Sequence, residues 1–270
     1  MIRQLTVTDI ERALELCRSA GWNQTAVDWL RLIEHEPLGC FVAERDNLVV
    51  GTVTSTRYEN DLAWIGMMLV DQRYRRQGIG TRLMNTCLEY LRAVAVGCIK
   101  LDATPAGQPV YQRLGFQVEG RFHRWSRDSE LATSIVHSRS GTSLAVEHLE
   151  LDRAAFGADR ASWLQRLAAD SQLCLRQQGF GMLRHGFLAN YLGPVIAKTE
   201  DVARDVIHEL LTQSRGQTFW DIPHDNTVAI QLAQSLNFKP GRDLTRMWLG
   251  SRLLTAHMKF QFALADPSTG

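Results

Sequence analysis

The spacing of apolar residues changes along this chain, and each change marks an element. Residues 3–7 alternate as a short strand. From Ile10 to about residue 20 the apolar positions fall three and four apart, behind Asp9 as a helix N-cap. Gly21 ends that helix, and Trp22-Asn23-Gln24-Thr25 leads into a second one over residues 26–36. Residues 40–45 and 48–58 read as strands joined by a turn at Asp46-Asn47. Residues 64–70 are an apolar strand. A loop with two glycines follows, and the helix beyond it carries Ile79, Leu83, Cys87, Leu91 and Val94 on one face. Residues 98–102 are apolar at alternate positions. Residues 109–114 make a short helix stopped by Gly115, and residues 118–126 and 131–138 read as closing strands.

The pattern restarts after residue 147. Phe156-Gly157-Ala158-Asp159-Arg160 opens a helix running to about residue 169, with Asp159 as its cap. A hairpin over 173–176 and 179–185 follows, then a strand at 191–197 and a helix at 199–214. A strand at 217–221, a helix at 225–236 and a strand at 244–250 complete the order. The tail after Ala265 is polar and reads as disordered. The second half repeats the first. Tyr191-Leu192-Gly193-Pro194-Val195-Ile196-Ala197 lines up with Trp64-Ile65-Gly66-Met67-Met68-Leu69-Val70, and Asn237-Phe238 with Gly115-Phe116. Gly241-Arg242 lines up with Gly120-Arg121. This is an internal duplication with a mixed α/β sheet in each half, divided into domains at 1–142 and 147–265.

Composition narrows the classes. The 270 residues are 45% hydrophobic and 22% charged, so the chain can bury a core. Lys and Arg total 30 against 29 Asp and Glu, a balance that opposes global attraction to nucleic acid or an anionic membrane. The five cysteines form no C-x-x-C pair and are read as reduced thiols of a cytoplasmic protein. No signal peptide and no membrane-spanning run is read. The eight histidines show no i, i+4 pair and no His/Cys cluster, so no metal site is expected.

The loop carries the chemistry. Gly78 and Gly80 leave backbone N–H groups unshielded by any Cβ at the positive end of a helix dipole, with Arg73, Arg75 and Arg76 beside them. Such a loop binds a phosphate or pyrophosphate. It lacks the lysine and Ser/Thr of a P-loop and the Gly-x-Gly-x-x-Gly spacing of a dinucleotide site. Gly-x-Ser-x-Gly is absent, and no cysteine has an obvious histidine partner, so hydrolase chemistry lacks support.

Two stretches together resemble one family. Val70-Asp71-x-x-Tyr74-Arg75-Arg76-Gln77-Gly78-Ile79-Gly80-Thr81 resembles the acetyl-CoA signature of the GNAT N-acetyltransferase superfamily, and Tyr111-Gln112-Arg113-Leu114-Gly115-Phe116 resembles its second signature. The likeness in signature residues covers about residues 1–140; the later half resembles the degenerate second lobe of tandem GNAT proteins. The resemblance implies two tandem lobes, each a mixed, mostly antiparallel sheet flanked by helices. It implies that Arg75, Arg76, Gln77, Gly78, Ile79, Gly80 and Thr81 hold the pyrophosphate of acetyl-CoA. Met68, Leu69 and Val70 would bond the pantetheine arm, and Tyr111, beside the cofactor, would protonate the departing thiolate.

The base is less defined. An alkylammonium of pKa near ~10 must lose a proton before it attacks. Many family members place a glutamate on the strand before the loop, but residues 64–70 hold no carboxylate. Asp102 is the nearest substitute, with Glu59, Asp61 and a water relay to a backbone carbonyl as alternatives. Trp22 and Asn23, between the first two helices, are acceptor candidates; from the second half so are Asp159, Arg160, Asp221, His224 and Asp225. After Ala197 the loop equivalent is missing, acidic residues stand in its place, and Ala233 stands where Tyr111 would be. The second half is therefore expected neither to bind CoA in the usual mode nor to catalyse. The expected activity is direct acetyl transfer to a small-molecule amine. A non-catalytic acyl-CoA sensor and a protein or peptide N-acetyltransferase are the alternatives.

Overall fold

The computed structural model describes residues 1–129, 143–253 and 257–270. The first half runs β1 (Ile2–Gln4), α1 (Ile10–Ser19), α2 (Ala26–His35), β2 (Phe41–Arg45), β3 (Leu48–Tyr58), β4 (Leu62–Val70), α3 (Ile79–Ala93), β5 (Cys98–Ala103), α4 (Gln108–Arg113) and β6 (Gln117–Ser129). The second runs α5 (Val146–Phe156), α6 (Ala161–Ala169), β7 (Ser171–Arg176), β8 (Gly179–Arg184) and β9 (Asn190–Ala197). It continues with α7 (Glu200–Gln213), β10 (Gly216–Pro223), α8 (Thr227–Ser235), β11 (Lys239–Gly250) and β12 (Gln261–Ala263).

The strand order is β1-β2-β3-β4-β5-β11-β6-β10-β9-β8-β7, with β12 on β9. Only β4 with β5 and β9 with β10 are parallel; the other pairs are antiparallel. Each half therefore has one parallel pair at the same point of its order, as the duplication requires. The lobes are nevertheless fused through their strands. β11, from the second half, lies between β5 and β6, and β6, from the first, lies between β11 and β10. Each half lends its last long strand to the other's sheet.

Side-chain alternation sorts the cores. On β4, Leu62 and Trp64 join α1, α2, α5 and α6 in one core shared by both lobes, while Ala63 and Ile65 face α3. A further core in the second lobe lies under α7 and α8. Local signals account for several boundaries. Asp46 and Asn47 both have positive φ (51° and 60°), as a two-residue hairpin turn between twisted strands requires. Thr25 caps α2 through a reciprocal box with Asp28.

Three expectations change. Asp9 does not cap α1 with its side chain; its carboxylate accepts from the Thr6 N–H at 2.9 Å and from Arg3 at 2.8 and 2.9 Å. The Arg3 guanidinium holds that carboxyl below the ordinary range. Phe156-Gly157 ends a helix instead of opening one: Gly157, at φ 92°, terminates α5, and the next helix starts at Ala161. The tail is ordered and buried. Gln261–Ala263 form β12, and Asp266, Ser268 and Thr269 are each under 10% exposed. The strand expected at 131–138 lies outside the described residues. Among the described residues, no helix is long and apolar enough to cross a membrane, and all five cysteines are buried and free.

Candidate active site

β4 creates the site by breaking its own regularity. Thr52 pairs with Leu69 and Thr54 with Gly66, so Val53 faces two residues, Met67 and Met68. Met67 takes φ 49°, and its carbonyl accepts from Thr52 Oγ1 at 2.7 Å. This bulge shifts the side-chain alternation by one. Met67 and Leu69 now face the shared core, and Met68 and Val70 face α3. β5 follows β4 only from Leu62 to Ile65, so the strands part at the bulge. A cleft, partly open to solvent, lies in the gap. Ile65, Gly66, Met67 and Met68 line one side, and Leu101, Asp102 and Thr104 the other.

The loop lies past the end of β4. Arg76 and Gly78 have positive φ (60° and 74°), with Gly78 the N-cap of α3. The N–H groups of Ile79, Gly80 and Thr81 have no carbonyl four residues back within the helix, and Arg82 N–H is the first to bond, to Gly78 at 3.0 Å. A left-handed turn feeding a helix N-terminus is an anion-binding concavity. No side chain stands within 4 Å of where a Gly78 Cβ would project, so the turn's open face is free to take a ligand. The flanking charges are partly committed. Arg73 pairs with Asp71 at 2.8 Å, Arg75 donates to the Val70 carbonyl at 3.1 Å, and Gln77 accepts from Arg45 at 2.6 Å. Arg73 and Arg12 hold the Asp71 carboxyl well below its ordinary range. These features fit a pyrophosphate at the loop and a pantetheine arm along the parted edge of β4.

Tyr111, on α4, lines the same cleft. Its ring meets Phe116 edge-on at 6.1 Å, which explains the value of Gly115-Phe116 behind it. Among the described residues the hydroxyl finds no hydrogen-bond partner, so it is not anchored to one of their carbonyls as a core tyrosine would be. Burial pushes its pKa up to about 12, which keeps the proton on at neutral pH.

Asp102 stands in the cleft wall in an ion pair that the sequence did not show. Its carboxylate is fully enclosed, and its two oxygens accept from Arg246 Nε and Nη2, each at 2.9 Å. Burial pushes its pKa up to about 6 against the opposing pull of Arg246. A carboxylate with both oxygens clamped and no exposure is a poor receiver of a substrate proton. Glu59 and Asp61 precede β4 at the far end from the loop, roughly 27 Å away for nine residues of strand.

The acceptor candidates divide in the same way. Trp22 lines the cleft. Asn23 also borders it, but its amide is spent joining the lobes: Nδ2 donates to the Ala189 carbonyl at 3.0 Å, and Oδ1 accepts from the Leu188 and Ala189 N–H groups. Asp221 is fully buried behind the cleft, where it accepts from Arg124 at 2.8 and 2.9 Å and from Tyr191. Arg160 is buried on Asp152, and Asp159, one residue before the N-cap of α6, accepts from the Ala161 N–H. The cleft wall also includes Arg124, Arg242, Leu244, Pro267 and Ser268, which the sequence did not single out. Only the tail carried a readable signal: Asp266-Pro267-Ser268 forms an Asp-initiated turn in which Asp266 accepts from Ser268 N–H at 2.7 Å.

In the second lobe the corresponding gap is filled from within. β9 follows β10 from Asn190 to Leu192, and beyond that point β12 pairs with β9. Trp220 Nε1 donates to the Phe262 carbonyl at 2.9 Å, and Leu264 N–H to the Asp221 carbonyl at 3.0 Å. A pantetheine arm would have to displace the chain's own strand. A histidine cluster invisible to sequence spacing also appears. His123 and His224 stack at 4.2 Å, and both Nε2 atoms meet Asp243 Oδ1, at 2.8 and 3.2 Å. The donor types suit a divalent metal, but the shared carboxylate oxygen already satisfies both Nε2 atoms. Asp225 lies at a different opening, beside Lys198 and Thr199.

A doubled α/β sheet, a strand parted at a bulge and an anion-binding loop at its end define a scaffold for a phosphate-bearing ligand, and comparison with known proteins makes this specific. The GNAT acetyltransferase family model matches residues 7–116, and a GNAT acetyltransferase domain model matches residues 148–263. The uncharacterized N-acetyltransferase YitH of Bacillus subtilis is 31% identical over 228 residues, covering 79% of each chain. An acetyltransferase crystal structure from Pyrococcus horikoshii superposes at TM-score 0.88 with 25% identity, over 100% of this chain and 95% of the other. A tandem GNAT protein from the clavulanic acid biosynthesis pathway shares the fold at TM-score 0.66 and 15% identity, over 93% and 98%. The chain belongs to the GNAT acetyltransferase family, as a tandem, two-lobed member.

Proposed function

We propose that the first lobe passes the acetyl group of acetyl-CoA directly to the amine of a small-molecule acceptor, in the cytoplasm and without a metal. The observation that carries this reading is the position of Tyr111, its hydroxyl unbonded, in the cleft opened by the parting of β4 and β5. The acceptor nitrogen forms its bond to the acetyl carbon as the carbon–sulfur bond breaks, and Tyr111 gives its proton to the leaving thiolate. Because Asp102 is clamped, the amine's proton passes through water to bulk solvent, and the neutral amine attacks. The small acceptor is favoured by enclosure: Trp22, Arg242 and the tail residues Pro267 and Ser268 border the cleft, leaving little room for an extended peptide. The 1–142 unit then acts as the enzyme, and 147–265 completes its pocket.

The test is thiol release from acetyl-CoA across a panel of amines, alongside CoA titration. Tyr111→Phe should lower kcat by about 100-fold or more with CoA affinity unchanged. An unaltered kcat would remove Tyr111 from the chemistry. Tight CoA binding with no turnover of any amine would favour the sensor, which the absence of an accessible carboxylate in the cleft wall also supports.

A further inference from the structure

The cleft contains a charge that the protein leaves unanswered. Arg124 and Arg242 both line it. Arg124 is neutralised by Asp221 through Nε and Nη2 at 2.9 and 2.8 Å, and its Nη2 also donates to the Tyr191 hydroxyl at 2.7 Å. Asp102, in the same wall, is neutralised by Arg246. Arg242 has no such partner: among the described residues it forms no ion pair, and its Nε is buried without an acceptor. It arrives there through a bulge. β11 pairs Pro240 with Trp125 and Asp243 with His123, leaving Gly241 and Arg242 outside the register. The bend brings Gly241 close to the facing strand, where a Cβ would lie 3.0 Å from the Arg124 carbonyl.

An unpaired, largely desolvated guanidinium is costly to fold, and a bound anion removes that cost. Burial and the neighbouring Arg124 lower its pKa from the ordinary value, against a smaller opposing pull from Asp221. A planar fork of N–H donors matches a carboxylate in bidentate fashion. We propose that Arg242, supplied by the non-catalytic lobe, anchors a carboxylate of the acceptor, so that the amine acetylated is that of an amino acid or a similar zwitterion. This inference rests on the transferase reading above. It gives the second lobe a specific part in recognition: the first lobe holds the donor, and a strand lent by the second selects the acceptor.

The test uses pairs that differ only in the carboxylate: lysine and cadaverine, histidine and histamine, phenylalanine and phenethylamine. Thiol release is followed with acetyl-CoA and the full chain. The carboxylate-bearing member should be preferred in kcat/KM by about 10- to 100-fold. Arg242→Gln should collapse that preference, and Arg242→Lys, which keeps the charge without the fork, should retain part of it. CoA titration and thermal melting confirm that each variant is folded. Equal turnover of the two members by the unmodified protein, or an unchanged preference in Arg242→Gln, overturns the anchor while leaving the transferase intact. Release from neither member of any pair, in protein that binds CoA, overturns the transferase reading and this inference with it.

Discussion

At the residue scale, Gly78 and the amine's proton give the sharpest expectations. Gly78 sits at φ 74°, where an L side chain costs roughly 1–2 kcal/mol in backbone strain. Gly78→Asp should abolish CoA binding measured by titration, because it adds a negative charge at the anion site. Gly78→Ala, with strain alone, should weaken binding by about 10-fold; equal affinity in a folded Asp variant would sink the loop assignment. The second expectation concerns pH. A protonated amine cannot attack, so kcat/KM must fall as pH drops. If no carboxylate takes the proton, the falling limb should move with the pKa of whichever acceptor is used. A limb fixed near pH 6 for all acceptors would instead match the Asp102 carboxyl and restore it as the base. Sequence alone singled out the loop and Tyr111 as candidates, because their chemistry depends on residue type at short spacing. It could not identify Asp102 as a clamped ion pair, because Arg246 lies 144 positions away and joins only through the β11–β5 register.

At the element scale, the tail is the lesson. Polar composition read as disorder, yet the segment is held by donors from four separate elements or loops. The Tyr58 hydroxyl donates to the Thr269 carbonyl at 2.5 Å, Trp64 Nε1 to Pro267 at 3.1 Å, Arg184 to Ala265 at 2.6 Å and Arg160 to Gly270 at 2.5 Å. Backbone acceptors have no sequence signature, so the tail's residues could mark a turn at Asp266 but not the docking of the segment. Gly66 records the contact from the other side: a Cβ there would lie 2.8 Å from the Ser268 Cα. Removing residues 265–270 would leave several buried donors unpaired, at about 1–3 kcal/mol each. The melting temperature should fall by roughly 2–4 °C for each kcal/mol lost. A melt within a degree of the parent would show that the tail contributes nothing to stability. The β4 bulge was hidden for a related reason: a run of apolar residues looks the same in either phase, so the one-residue slip at Met67 and Met68 left no trace in the pattern.

At the scale of the whole molecule, the duplication was legible because both copies keep their order of elements. The exchange of strands was not, since a strand's sequence states that it pairs but not with which half. β6 and β11 each sit inside the sheet of the other lobe, joined along eight residue pairs. A fragment of residues 1–142 expressed alone should therefore be unfolded or aggregated, with β5 exposing the edge that β11 covers. Co-expression with 143–270 should restore soluble, CoA-binding protein. A monomeric, folded 1–142 fragment that binds CoA would refute this coupling.

The same exchange bears on how the molecule comes apart. Two domains joined by a linker melt in two steps, but here neither lobe can open without tearing a strand from the interior of its neighbour. Calorimetric and van't Hoff enthalpies should agree as if the chain were a single cooperative unit, despite its length. The half without the glycine loop and the tyrosine cannot be shed, because the first lobe's sheet is completed by one of its strands.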